Sequence, residues 1–489
     1  MKKIYKIMFG SLICLALIMT SSVSMIGFAQ QQDTSEISIE GIWQGSLKVP
    51  GMELRIVFKI SENPDGTLTA TLDSPDQGAT GIPVEEVIFI DNTLHLEVKS
   101  AGGVFEGKVS EDFLVIEGEW KQSGQTLPLT LKRVDKAVEI LRPQEPKKPY
   151  PYIEQEVAYE NKDAEITLAG TLTLPSGDAP FPAVLLITGS GPQDRNETIY
   201  NHRPFLVLAD YLTRQGVAVL RADDRGVGKS TGDFSQATSE DFASDVLAGI
   251  EYLKTRKEIN PKQIGLIGHS EGGLIAPVVA VKSPDVAFIV LMAGIGLTGE
   301  EILYLQGALI AKAMEASEED IAKNRRFNEK IFSVIKEEKD KKIAEERLHQ
   351  MFMEDWEKIS EEEKNRIGDI GDPEEYLKAQ LQSLLSPWLK FFLTYDPKPT
   401  LMKVKCPVLA INGEKDLQVP PRENLTVIEE ALKSGGNQDY TIKELPDLNH
   451  LFQTAQTGLP SEYAKIEETI SPIALKIITD WILEHTIDK

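Results

Sequence analysis

An α/β domain built on a mostly parallel sheet, preceded by an antiparallel β-barrel or sandwich, is the fold class the sequence predicts. Three observations carry it. Residues 41–134 read as short alternating runs such as "ELRIVFKI", "TLTATL" and "TLHLEV", separated by turn residues. A proline-rich stretch then interrupts the chain. Beyond it, continuously apolar runs such as "PAVLLI", "QIGLI" and "VAFIVLM" alternate with helical periodicity, the pattern of strands covered on both faces.

Taken in order, the first 29 residues carry Lys2, Lys3 and Lys6, an apolar run from Ile7 to Met19, and small residues ending at Ala29, the layout of a secretory signal peptide. The run is short of the roughly 20 residues needed to span a bilayer. Cys14 follows Ile13 rather than a small residue, against lipoprotein processing. A cleaved leader and a secreted protein with no stable membrane insertion are therefore expected. Cleavage removes Cys14 and leaves Cys406 without a partner in the chain, so no intramolecular disulfide can staple the fold. It also takes three lysines and no acid, moving the net charge from −24 to about −27. Nucleic acid and anionic lipid surfaces are excluded as partners by that charge.

Residues 36–135 form the expected antiparallel domain, with about eight strands and no constellation of acid, base and nucleophile. Residues 136–151 contain "RPQEPKKPYP", whose four prolines predict a stiff, extended linker. The α/β domain follows over 152–489. Within it, 297–400 has no strand-like run and reads as a helical insertion. Its charged part, including "EEDIAKNRRFNEK", is a solvated helix face. The insertion ends in an aromatic cluster, Trp388, Phe391, Phe392 and Tyr395, which either lines an apolar pocket or packs onto the core.

The chemistry centres on "LIGHSEGG". Gly268 to Gly272 spell G-x-S-x-G between a buried strand and a helix that starts at once, so Ser270 is placed on a strand-to-helix turn. A serine hydroxyl needs a base to become nucleophilic, and the base needs an acid to orient it. Of the six histidines, His450 lies on a loop after a strand in "ELPDLNHLF", whereas His485 sits at a helix end. Asp416 lies just beyond the C-terminal end of the strand "CPVLAIN", where catalytic groups of open sheets collect. Glu414 and Asp447 are the alternative carboxylates. Oxyanion donors are expected from the backbone N–H of Glu271 and of Ser190 in "ITGSGPQDRN", with Gly191 the alternative to Ser190. Asp223, Asp224 and Arg225 have no P-loop spacing and read as structural ion pairing after a strand.

The stretches "GSGPQDRNET", "RADDRGVGKSTGDF", "IGLIGHSEGGLIAP", "SPWLKFFLTYDP" and "NGEKDLQVP" resemble bacterial esterases of the α/β-hydrolase superfamily, a group also described as serine aminopeptidase-like. The resemblance runs from about Tyr150 to the C-terminus. It implies an α/β-hydrolase fold with a helical lid insertion and a Ser270–Asp416–His450 triad. It further implies ester hydrolysis through an acyl-enzyme, with no metal or cofactor. One departure is visible: relatives commonly carry histidine before the oxyanion-loop glycine, where this chain has Thr188. The expected substrate is a small carboxylic ester, with short acyl chains favoured. Amide or peptide cleavage is the alternative, and capture of a cell-envelope ligand on a hydrolase scaffold a second. A homo-oligomer is compatible with the sequence.

Overall fold

The computed structural model describes residues 38–49, 52–77, 79–122, 125–137, 141–359 and 373–486. The leader expected over 1–29 lies outside the described residues. Two compact units divide the chain: the first runs to Leu141 and also takes Glu357–Tyr376, and the second holds Arg142–Trp356 and Leu377–Lys489.

The first unit is one antiparallel sheet of nine strands in the order β4-β3-β2-β1-β9-β8-β7-β6-β5. They are β1 (Gly41–Val49), β2 (Met52–Glu62), β3 (Leu68–Ser74), β4 (Ala79–Val84), β5 (Glu86–Ile90), β6 (Thr93–Val98), β7 (Gly103–Val109), β8 (Val115–Gln122) and β9 (Gln125–Val134). The edge strands β4 and β5 are consecutive in the chain, so the sheet curls towards closure as a single layer rather than splitting into a sandwich. Alternation explains its core. β7 buries Gly103, Phe105, Gly107 and Val109 and turns the residues between them outward. Trp43, Phe58, Phe105 and Trp120 fill the centre, with Phe58 6.0 Å from Phe105 and 6.3 Å from Trp120 between ring centroids. The count exceeds the expected eight because β4, mostly exposed and containing Gly81 and Pro83, carries little strand signal.

The second unit holds an eight-stranded sheet in the order β10-β11-β13-β12-β14-β15-β16-β17. Its strands are β10 (Ile153–Asn161), β11 (Ile166–Leu174), β12 (Phe181–Ile187), β13 (Ala218–Ala222), β14 (Ile259–His269), β15 (Val286–Met292), β16 (Val408–Gly413) and β17 (Tyr440–Leu445). The sheet is mixed. β12 to β17 run parallel, but β11 is antiparallel to both β10 and β13. The parallel strands are the near-continuous apolar runs: β16 is buried at all six positions.

Helices α1 (Pro204–Arg214), α2 (Ser239–Lys254) and α3 (Glu271–Lys282) follow β12, β13 and β14. The 297–400 interval contains α4 (Gly299–Ala313), α5 (Glu318–Glu337), α6 (Lys341–Lys358), α7 (Pro373–Leu384) and α8 (Pro387–Thr394), and no strand among its described residues. After β16 comes α9 (Pro421–Ser434), and α10 (Pro472–Thr486) ends the unit. α1 and α10 bury Phe205, Leu208, Ile478 and Trp481 against β12 to β16. The proline-rich segment is not a free spacer from Arg142 onward. The Arg142 guanidinium donates to the carbonyls of Tyr200, Ala464 and Ile466, and the Gln144 side chain bonds both N–H and C=O of Ile470.

Candidate active site

Sheet order assembles the site. β14 lies between β12 and β15, so the loops leaving β12 and β14 meet at one end of adjacent strands. Ser270 stands between β14 and α3 with φ 54° and ψ −115°, a conformation that costs a non-glycine residue about 1–3 kcal/mol. Packing enforces the turn. A Cβ on Gly268 would sit 2.0 Å from the carbonyl oxygen of Gly272, and one on Gly272 would sit 2.2 Å from that of Ile187. Only glycine fits at these two positions, which is the physical content of the G-x-S-x-G spacing.

Asp416 follows β16 and is 2% exposed. Its Oδ1 accepts the N–H groups of Gln418 and Val419, both at 2.8 Å, while Oδ2 lies 2.8 Å from His450 Nδ1. The Asp416 carboxylate accepts, so His450 Nδ1 donates in that contact. The alternative acids are engaged elsewhere: Glu414 accepts the Asp447 N–H at 3.0 Å, and Asp447 pairs with Lys415 at 2.7 Å. His485 bonds the Trp481 carbonyl at 2.7 Å within α10. His202 is fully buried against the Tyr463 carbonyl and the Thr469 hydroxyl.

The loop after β12 is clamped from two sides. Thr188 donates its hydroxyl to Asp224 Oδ1 at 2.8 Å, and the Gln193 N–H donates to Asp224 Oδ2 at 2.9 Å. The Gly189 N–H donates to Glu197 at 2.7 Å. Thr188 thus holds the loop by its hydroxyl. The N–H groups of Ser190 and Glu271 take no other acceptor among the described residues, and that of Glu271 is the first donor of α3. Burial pushes the Asp224 carboxyl well above the usual carboxylate range.

Asp223 and Arg225 form ion pairs, though not with each other. Asp223 pairs with Arg195 at 2.7 Å and Arg225 with Asp245 at 2.8 Å. Asp224 between them holds the loop after β12. The aromatic cluster packs inward: Trp388 and Phe392 are buried with centroids 5.1 Å apart, and Trp388 Nε1–H donates to Glu271 Oε1 at 2.8 Å. The Ser239 hydroxyl donates to the same oxygen at 2.6 Å. Sequence reasoning missed Glu197, His269 and Asp224 as parts of the site. The buried "GHS" histidine and the acids of "QDRNET" were the available signals.

A mixed sheet in this strand order, with a serine on a strained strand-to-helix turn and an Asp–His pair on the following loops, defines an α/β-hydrolase. The chain belongs to the X-Pro dipeptidyl-peptidase (S15) family, whose model matches residues 136–442, more than half of the chain. It is 25% identical over 321 residues to esterase EstD of Thermotoga maritima, an alignment spanning 64% of this chain and 65% of that relative. Among solved structures it is similar to the Pyrococcus furiosus esterase Pf2001 (17% identity, TM-score 0.42, covering 68% of this chain and 91% of that one). It is also similar to ferulic acid-bound Est1E from Butyrivibrio proteoclasticus (16% identity, TM-score 0.39, covering 68% and 100%). Among the described residues no helix is long and apolar enough to cross a membrane.

Proposed function

We propose that the protein is a secreted carboxylesterase that cleaves small esters, short acyl chains favoured, through an acyl-enzyme on Ser270. The carrying observation is the 2.8 Å contact between His450 Nδ1 and Asp416, together with a serine held at positive φ whose chain neighbour His269 lies 3.0 Å from the His450 carbonyl. His450 Nε2 takes the Ser270 hydroxyl proton as Oγ attacks the ester carbonyl. The oxyanion is held by the N–H groups of Ser190 and Glu271, the latter at the positive end of α3. The imidazolium returns its proton to the leaving alcohol, and water, activated by the same base, releases the acid.

The S15 match raises X-Pro peptide cleavage as the second reading. Such a substrate presents a free ammonium, which a carboxylate must hold. The acids nearest the oxyanion loop are engaged internally: Asp224 with Thr188, Glu197 with His269, and Glu271 with Ser239 and Trp388. That favours esters.

The test is hydrolysis of p-nitrophenyl esters of increasing acyl length, and in parallel of X-Pro p-nitroanilides, by the parent and by Ser270→Ala. The expected outcome is ester turnover with a short-chain optimum that falls by roughly three or more orders of magnitude in the variant. Anilide turnover with inert esters would replace this reading by the peptidase one.

A further inference from the structure

Glu197 and His269 take no part in the proton transfers above, yet they touch the loop after β12, the Ser270 turn and the loop that carries His450. Glu197 Oε1 accepts the Gly189 N–H of the oxyanion loop at 2.7 Å and faces His269 Nδ1 at 2.9 Å. His269 immediately precedes Ser270 in the chain. Its other ring nitrogen, Nε2, lies 3.0 Å from the backbone carbonyl oxygen of His450. Both residues are buried, His269 at 6% and Glu197 at 3% exposure.

The partners dictate the protonation. A carboxylate oxygen and a backbone carbonyl oxygen both accept, so both ring nitrogens must donate. A neutral imidazole has one N–H and one lone pair. In either tautomer it would set a lone pair against an acceptor at about 3 Å, leaving one contact repulsive in a site shielded from water. The imidazolium satisfies both, and Glu197 supplies its counter-charge within hydrogen-bond distance.

We infer that His269 is a standing imidazolium, paired with Glu197, and is a positioning residue for catalysis: its Nε2–H fixes the backbone of the catalytic histidine while Glu197 fixes the oxyanion loop. One charged hydrogen-bond chain then ties the loop after β12, the nucleophile turn and the loop after β17. The surrounding groups support it. Those facing the ring are Glu197 from the loop after β12, Asp416 after β16 and His450 after β17, whose ring centroid is 4.9 Å away, with Phe452 edge-on at 6.4 Å. Burial alone would lower the His269 pKa, but the Glu197 charge and hydrogen bond outweigh it and raise the value, helped by the His450 carbonyl and the Asp416 charge.

The kinetic consequence rests on the serine-hydrolase reading. The protonation state does not, so two measurements separate them. In the first, long-range ¹H–¹⁵N spectra of the full chain labelled in histidine follow each ring from pH 5.5 to 8.5, with the His269 signal assigned by its absence in His269→Asn. The expected spectrum keeps both ring nitrogens of His269 protonated throughout. A neutral-tautomer signal for that ring at pH 7 overturns the inference whether or not the protein turns over any ester. If His269→Asn does not fold, the changes in the Glu197→Gln spectrum make the assignment.

The second measurement is the ratio of kcat/KM for Glu197→Gln to that of the parent, from pH 8 to pH 6. Without the counter-charge the ring loses its second proton at high pH, and the His450 carbonyl loses its donor. A loss of roughly tenfold is expected at pH 8. Lowering the pH restores the proton, so the ratio rises towards pH 6. A ratio unchanged across that range would mean that Glu197 acts as packing alone, and would overturn the positioning role.

Discussion

Histidine side chains buried around the same loops acquire different functions from their neighbours alone. His450 faces one acid through Nδ1, while His269 faces two acceptors and must carry charge. His202 is the opposite case. Burial, with the Arg142 cation nearby, pushes it down to about 4, so it is neutral in the fold at pH 7. The sign of the resulting pH effect follows. An unfolded histidine binds its proton near pH 6.5, before the folded one does. The stability His202 contributes is therefore complete above pH 6.5 and is lost as the pH falls towards 4, by about 3 kcal/mol across that interval. His202→Gln removes this slope. The stability gap between parent and variant, measured by urea unfolding, should narrow by about that amount between pH 7 and pH 4.5. A gap that stays constant would show that the ring is not held neutral.

At the scale of elements, the Ser270 turn was legible in the sequence because it is local: an apolar strand, two glycines that no other residue can replace, and a helix starting at once. Asp416 and His450 were legible for the same reason, each lying just past a strand. What was not legible depends on which strands become neighbours. β10 and β11 have no long apolar run, and their two antiparallel pairings make the sheet mixed beside the five parallel ones. Glu197 lies 72 residues before His269 and meets it only because β12 and β14 are adjacent. The Trp388 contact to Glu271 spans 117 residues and is equally invisible to periodicity. That contact fastens α8 to the first residue of α3. Burial raises the Glu271 pKa against hydrogen bonds from Ser239, Trp388 and Ser190, and both Ser239 and Trp388 donate to Oε1. Trp388→Phe keeps an aromatic ring beside Phe392 but deletes the donor. The expected cost is about 1–3 kcal/mol of unfolding free energy, read from denaturant curves. A loss below about 0.5 kcal/mol would mean that water replaces the indole and the tie is weak.

For the whole molecule, two cores and one strong charge imbalance matter. The β unit buries its aromatics in its own sheet, and the α/β unit buries α1 and α10 on another. Across the chain 76 acidic residues stand against 52 Lys and Arg, for a net charge of −24. A field of that sign raises the local concentration of cations and lowers that of anions, acting on encounter rather than on the chemical step. Screening removes it: the Debye length falls from about 30 Å at 0.01 M salt to about 10 Å at 0.1 M. A neutral p-nitrophenyl ester and its analogue bearing a terminal carboxylate should therefore respond differently to salt. The neutral ester should keep its kcat/KM within a factor of about two from 0.01 to 0.3 M NaCl, whereas the anionic one should gain several-fold, with kcat unchanged for both. If the anionic ester lost activity as salt rose, a cationic patch at the active-site entrance would outweigh the global charge, and acid-bearing esters would move to the front as substrates. If both esters rose together, salt would be acting on the enzyme and not on the encounter.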